Sequence, residues 1–227
     1  MGISNVASNL RPGVCTSTTR PTTPYEGQVI YETDTNRVLV WDNAAWVDPS
    51  TGKYEQSGLV KIIPTSVSNG SIDSLGTVTT GVGVSNITVN GAFDSRFDNY
   101  RIILSGGTAS TQTGMHLSLV GITTGYYSIR YGGFYSAPTT INTESSNNGT
   151  YWRSIGLQNP TGSFSVIDLT TPFKSGVITY MSGHYVGGSV ASFVVGRTDS
   201  TDSTSGFIYE SLGGTFSSAN IRIYGYN

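Results

Sequence analysis

The stretch YRIILSG, residues 100–106, places Ile102 and Leu104 on one face of an extended chain, because side chains alternate along a strand with a period of two. NIRIYGY, residues 220–226, repeats the pattern, with Ile221 and Ile223 opposing Arg222 and Tyr224. One side of each is suited to a core. Around them, strand candidates recur at short spacing: LVKII (59–63), GTVTT (76–80), NITVN (86–90), MHLSLVG (115–121), GSFSVIDL (162–169), SGVITYMSG (175–183), SVASFVVG (189–196) and GFIYES (206–211). Many short strands joined by turns predict an all-β fold, an antiparallel β-sandwich of jelly-roll-like type over residues 59–227.

Composition agrees. Charged residues make up 11% of the 227, about half the usual share, while glycine alone contributes 29. Glycine and Asn tolerate the positive φ of tight turns, and Thr, Val, Ile and Tyr suit a pleated sheet. A net charge of −2 offers no electrostatic footprint for a phosphate backbone, so nucleic acid is not an expected partner. Cys15 is the sole cysteine, which rules out an intramolecular disulfide and a cysteine-based zinc site. The start, MGISNVASNL, lacks the basic and apolar regions of a signal peptide, and no window approaches a membrane span. Synthesis in a host cytoplasm, without membrane insertion, is the expectation.

Residues 1–24 are rich in Ser, Thr, Asn and Pro, with Pro12, Pro21 and Pro24 interrupting any regular element. They read as an extended anchoring arm. Residues 25–58 read as a hairpin module and linker: QVIYET, a polar turn at Asp34–Asn36, RVLVW, a second turn at Asp42 and Asn43, then Ala45, Trp46 and Val47. Val29 and Tyr31 oppose Ile30, and Val38 and Val40 oppose Leu39 and Trp41. A ribbon apolar on both sides is marginal alone, so Tyr31, Leu39, Trp41 and Trp46 are the expected oligomer or docking residues.

The stretch 123–153 mixes aromatic residues with Gly, Ser and Asn and reads as surface loops. Tyr131, Phe134, Tyr135 and Trp152 are its candidate receptor-facing aromatics, since aromatic faces cover the C–H groups of sugar rings. Catalytic chemistry finds little footing. Neither His116 nor His184 has a partner at metal-ligating spacing, Asp199 and Asp202 lack the remainder of a calcium loop, and no nucleophile elbow is present. Asp94 and Asp98 in GAFDSRFDNY are the only carboxylate pair worth weighing for glycoside cleavage, and their spacing suits turns around Arg96. No catalytic residue, metal or cofactor is expected.

The segment TRPTTPYEGQVIYETDTNRVLVWDNAAWV, residues 19–47, resembles a short module of tailed-bacteriophage virion proteins, through Thr19, Arg20, Pro21, Pro24, Gly27, Tyr31–Thr35, Trp41 and Trp46. GAFDSRFDNYRIILSG, residues 91–106, is similar to the opening of C-terminal domains in phage tail-fibre and minor-tail proteins. The resemblance implies an oligomeric accessory of the virion exterior, usually a trimer, docked on other virion proteins by its N-terminal part. It implies no catalytic residue. Three readings follow: a tail fibre or minor tail protein that binds a host-surface saccharide, a capsid decoration or head-fibre protein that stabilises the major capsid lattice, and a polysaccharide depolymerase.

Overall fold

A computed structural model describes residues 12–49, 58–137 and 139–227 of the chain, which divides into two compact units, Met1–Glu55 and Gln56–Asn227. Among the described residues every regular element is a β-strand.

The first unit holds four strands in sequence order: β1 (Gly13–Cys15), β2 (Val29–Glu32), β3 (Arg37–Trp41) and β4 (Trp46–Val47). β2 and β3 form the expected hairpin, and its turn is closed by Asn36 at φ 56°. β1 runs parallel to β2, with Val14 in register with Tyr31. The described part of the expected arm is therefore joined to the hairpin, and residues 1–11 of that arm lie outside the described residues. The reason is polar. The Ser17 N–H and hydroxyl donate to the Asp34 carboxylate at 2.9 and 2.5 Å, and Arg20 pairs with the buried carboxylate of Glu32. Thr35 adds a hydroxyl donor to Glu32 at 2.6 Å. Hydrogen bonds from Arg20 and Thr35 hold the Glu32 carboxyl below its ordinary range, with the Arg20 charge adding to them.

The second unit contains β5 (Val60–Ile62), β6 (Ser66–Ser68), β7 (Gly70–Ile72), β8 (Val78–Thr80), β9 (Asn86–Asn90), β10 (Asn99–Ala109), β11 (Thr113–Leu119), β12 (Tyr126–Phe134), β13 (Asn142–Gly149), β14 (Trp152–Gln158), β15 (Ser163–Thr170), β16 (Tyr180–Gly187), β17 (Val190–Thr198), β18 (Phe207–Ser211) and β19 (Phe216–Tyr226). Its larger sheet follows the order β13-β12-β17-β16-β15-β10-β19-β8-β7, with β5 also on β19. Its smaller sheet follows β14-β11-β18-β9-β6. This is an antiparallel sandwich, its strands divided ten and five, where a jelly roll uses eight.

The alternation at residues 100–106 and 220–226 is realised in the ladder between β10 and β19, where Ile102 faces Ile223 and Leu104 faces Ile221. These four, with Ile167 and Leu169 on β15, form the inner surface of the larger sheet. Met115, Leu117, Phe207, Tyr209, Ile87 and Val89 answer from the smaller sheet. Each such side chain contributes about 1.5–3 kcal/mol by leaving water.

The loops expected over 123–153 are instead largely strands β12, β13 and the start of β14. β12 is held by unbroken pairing to β17 from Tyr126↔Thr198 to Phe134↔Val190. β13, NTESSNNG, has no apolar residue and takes its shape from pairing with β12 at the sheet edge. Tertiary pairing overrides composition here.

Candidate functional site

The four aromatics expected to meet a receptor do not form one cluster. Tyr131 points from the outer face of the larger sheet, Tyr135 lies in the turn after β12, and Phe134, at the end of β12, lines an open groove. Trp152 is fully buried and is withdrawn from the receptor-facing set. Its indole N–H donates to the Arg197 carbonyl at 3.0 Å, and its ring meets Tyr126 edge-on at 5.1 Å. Trp152 is a core residue because Ser154, at φ 52°, breaks the alternation of β14. Trp152 and Ile155 therefore both turn inward, across the bulge where β11 runs from Met115 to Leu117.

The groove has a volume of about 560 Å³ and opens between the β12–β13 hairpin and the neighbouring ends of β11, β14 and β16. Phe134, Leu157 and Leu212 give it apolar wall, and Gln112, Asn142, Arg130 and Glu144 give it polar wall. Even-numbered residues of β12 face inward, which brings Arg130 to this side. Its Nη1 donates to the Tyr185 hydroxyl and to Ser192 Oγ, each at 3.2 Å. Its Nε lies 3.4 Å from Glu144 Oε2, and Arg153 Nε lies 3.3 Å from Glu144 Oε1. Ser154 donates to the same carboxylate at 2.7 Å. One carboxylate thus sits between two guanidiniums, and the network fixes the groove floor before any ligand arrives. The sequence reading missed Arg130, Glu144 and Tyr185. Inward parity along β12 would have marked Arg130 had that stretch been read as a strand.

Behind the groove, His116 on β11 is fully buried and stacks on Tyr151 with ring centroids 4.2 Å apart. Burial first, and the positive charge of Arg153 second, push its pKa down to about 4, with Glu144 partly opposing them. The imidazole is neutral at pH 7. His184 lies on the exposed outer face of the larger sheet.

The carboxylate pair weighed for glycoside cleavage borders a smaller cavity of about 310 Å³. Each member has its own cation. Arg96 clamps Asp94 through Nε at 3.1 Å and Nη2 at 2.7 Å, and Lys174 Nζ lies 3.4 Å from Asp98. Burial alone would raise the Asp94 carboxyl, yet the hydrogen bonds from Arg96 outweigh it and hold the group below its ordinary value. That state suits an ion pair and is the reverse of what a proton donor needs. Asp199 pairs with Arg197 at 2.5 Å, and Asp202 accepts from Ser200. Among the described residues no three His, Cys, Asp or Glu side chains come together in a way that would hold a metal ion.

The expected docking residues of the first unit also separate. Leu39, 4% exposed, packs opposite Ile30 inside its own unit and leaves the docking set. Trp41 and Trp46 are half-buried against each other, edge to face at 5.5 Å. Tyr31 stays on the other face, in register with Val14 and Val38 and beside Val29 and Val40. Val14, Val29 and Val38 on that face are exposed. The ribbon is closed on one side by its own Arg20–Glu32 pair and remains open and apolar on the other. No family model and no curated protein matches this chain.

Proposed function

We propose that the chain is a structural protein of the exterior of a tailed-bacteriophage particle, of tail-fibre or minor-tail type, acting as a homo-oligomer. Its small unit docks on other virion proteins and its sandwich binds a saccharide of the host surface. The observation that carries the binding reading is the groove. It joins an exposed aromatic edge, Phe134, to planar hydrogen-bonding groups on Gln112, Asn142, Arg130 and Glu144, the last three set on paired strands. Sugar rings need this mixture of apolar face and fixed polar groups. Docking by the small unit is supported by its open valine face. The residues that carry the resemblance, Arg20, Glu32, Asp34, Thr35 and the two tryptophans, are the ones that tie that unit together.

The test is binding of the full chain to an array of bacterial surface polysaccharides. At least one should be retained, and Phe134→Ala should weaken it about 3- to 10-fold, the loss of one ring contact of about 0.5–1.5 kcal/mol. Val82→Ala, an exposed position outside the lining of the groove, should leave that affinity unchanged. No retained polysaccharide, or equal loss in both variants, would remove the groove from the account.

A further inference from the structure

The outer face of the larger sheet is apolar across four adjacent strands. Register places Tyr131 of β12 beside Phe193 of β17, then His184 of β16 and Val166 of β15. One row along, Ile129 lies beside Val195, and on the other side Ala191, Val186 and Phe164 follow one another. Ile129, Tyr131, Phe164, Val186, Phe193 and Val195 are 40–69% exposed, the highest value belonging to Phe193. His184 sits at the centre, its ring 6.3 Å from Phe164 and 6.0 Å from Phe193. In a sheet with one covered face, the outer positions are ordinarily polar. Here they are the residue types found in cores.

We infer that this face packs against the same face of a second copy of the chain. Two properties select that occupant. The first is charge: none of the positions just named carries Lys, Arg, Asp or Glu, and the row of Ile129 and Val195 runs through Ser182 before it meets Asp168. At the margin Asp168 is already paired with Arg101 at 2.8 Å, and Arg197 with Asp199 at 2.5 Å. A patch without net charge can lie on its own image without repulsion and offers no sign by which a charged partner would be chosen. The second is area. Three half-exposed aromatic and three half-exposed aliphatic side chains present on the order of 500 Å² of apolar surface, at the upper end of the largest patches on monomers. Two copies together cover about 1,000 Å², the threshold of a specific interface. A gently twisted sheet face is also the shape that packs on its like. The inference is independent of the saccharide groove, which uses the opposite parity of β12.

Sedimentation of the full chain across a concentration series tests it. Wild type should self-associate, and Phe193→Lys should weaken that association at least tenfold while leaving the thermal midpoint of the dilute monomer unchanged, since Phe193 contributes little to its own core. A wild type that stays monomeric to tens of micromolar, or association indifferent to Phe193→Lys, overturns the proposal. A second readout separates the occupants. The methyl groups of Ile129 and Val195 should be accessible to a soluble paramagnetic probe when the chain is dilute and shielded when it is concentrated. Shielding already present in the dilute monomer would mean that the chain covers its own face, and would also overturn it.

Discussion

Replacing Trp152 by alanine is expected to destabilise the sandwich by about 3–5 kcal/mol, the cost of emptying a large aromatic site in a packed core. The side chain is 0% exposed, presses on the Gly196 backbone, and closes one end of the core with Tyr126. Tyr126 is itself fixed, accepting from the Leu119 N–H at 2.8 Å and donating to the Ile122 carbonyl at 3.1 Å, so the surroundings are held apart and cannot collapse into the void. Trp152→Phe should cost less, chiefly a smaller cavity and the indole bond to Arg197, worth about 1 kcal/mol. Chemical denaturation of both variants checks the order. A shift under 1 kcal/mol for the alanine variant would return Trp152 to the surface. The same result bears on binding: any loss of saccharide affinity in Trp152→Ala should track the unfolded fraction, unlike the loss in Phe134→Ala.

The second large effect is acid sensitivity centred on His116. Its folded pKa of about 4 lies below the 6.5 of an unperturbed imidazole, so the unfolded chain takes the proton first. The neutral ring's contribution is whole above pH 6.5 and declines as the pH falls from there towards 4. At about 1.4 kcal/mol for each unit of pKa, the decline amounts to no more than about 3.5 kcal/mol. His116→Leu removes the titration while leaving an apolar body against Tyr151. The difference in stability between wild type and variant should therefore move in the variant's favour between pH 6.5 and 4.5 and be constant above pH 7. A difference that stays level across that interval would show His116 to be solvated. Glu144 and Arg153 are the charged groups that bear on the ring, and both belong to the network under the groove; in the folded chain the ring stays neutral over that interval, so the groove's floor should hold until the pH nears 4.

Much of the architecture is written in local alternation, and what is not has a physical cause. β10 and β19 have one apolar and one polar side, so their inward faces could be read from residues 100–106 and 220–226, while their pairing with each other is set by the three-dimensional ladder. β9 was found in its full length for the same reason. β13 could not be found: Asn142–Gly149 carries no apolar residue, and only its ladder with β12 makes it a strand. β14 concealed its core residue behind the bulge at Ser154, where a period of two assigns Trp152 and Ile155 to opposite faces. The groove suffered from both. Arg130, Glu144 and Tyr185 are 14 residues or more apart in sequence and converge only through the order β13-β12-β17-β16. In the first unit, the ribbon expected to be apolar on both faces exposes Val29 and Val38 and half-buries Tyr31 on one face, while Leu39 on the other is buried within the unit. Whether a ribbon's second face is open depends on the chain that folds over it, here the segment bearing Ser17 and Arg20.

Labelling of intact particles tests directly the proposed place of this chain on the outside of a phage particle. Antibodies raised against the sandwich, residues 59–227, should decorate purified, unbroken particles released from the host that carries the gene, with gold concentrated at the tail in electron micrographs. Particles that remain unlabelled while the protein is abundant in the cleared lysate would contradict it.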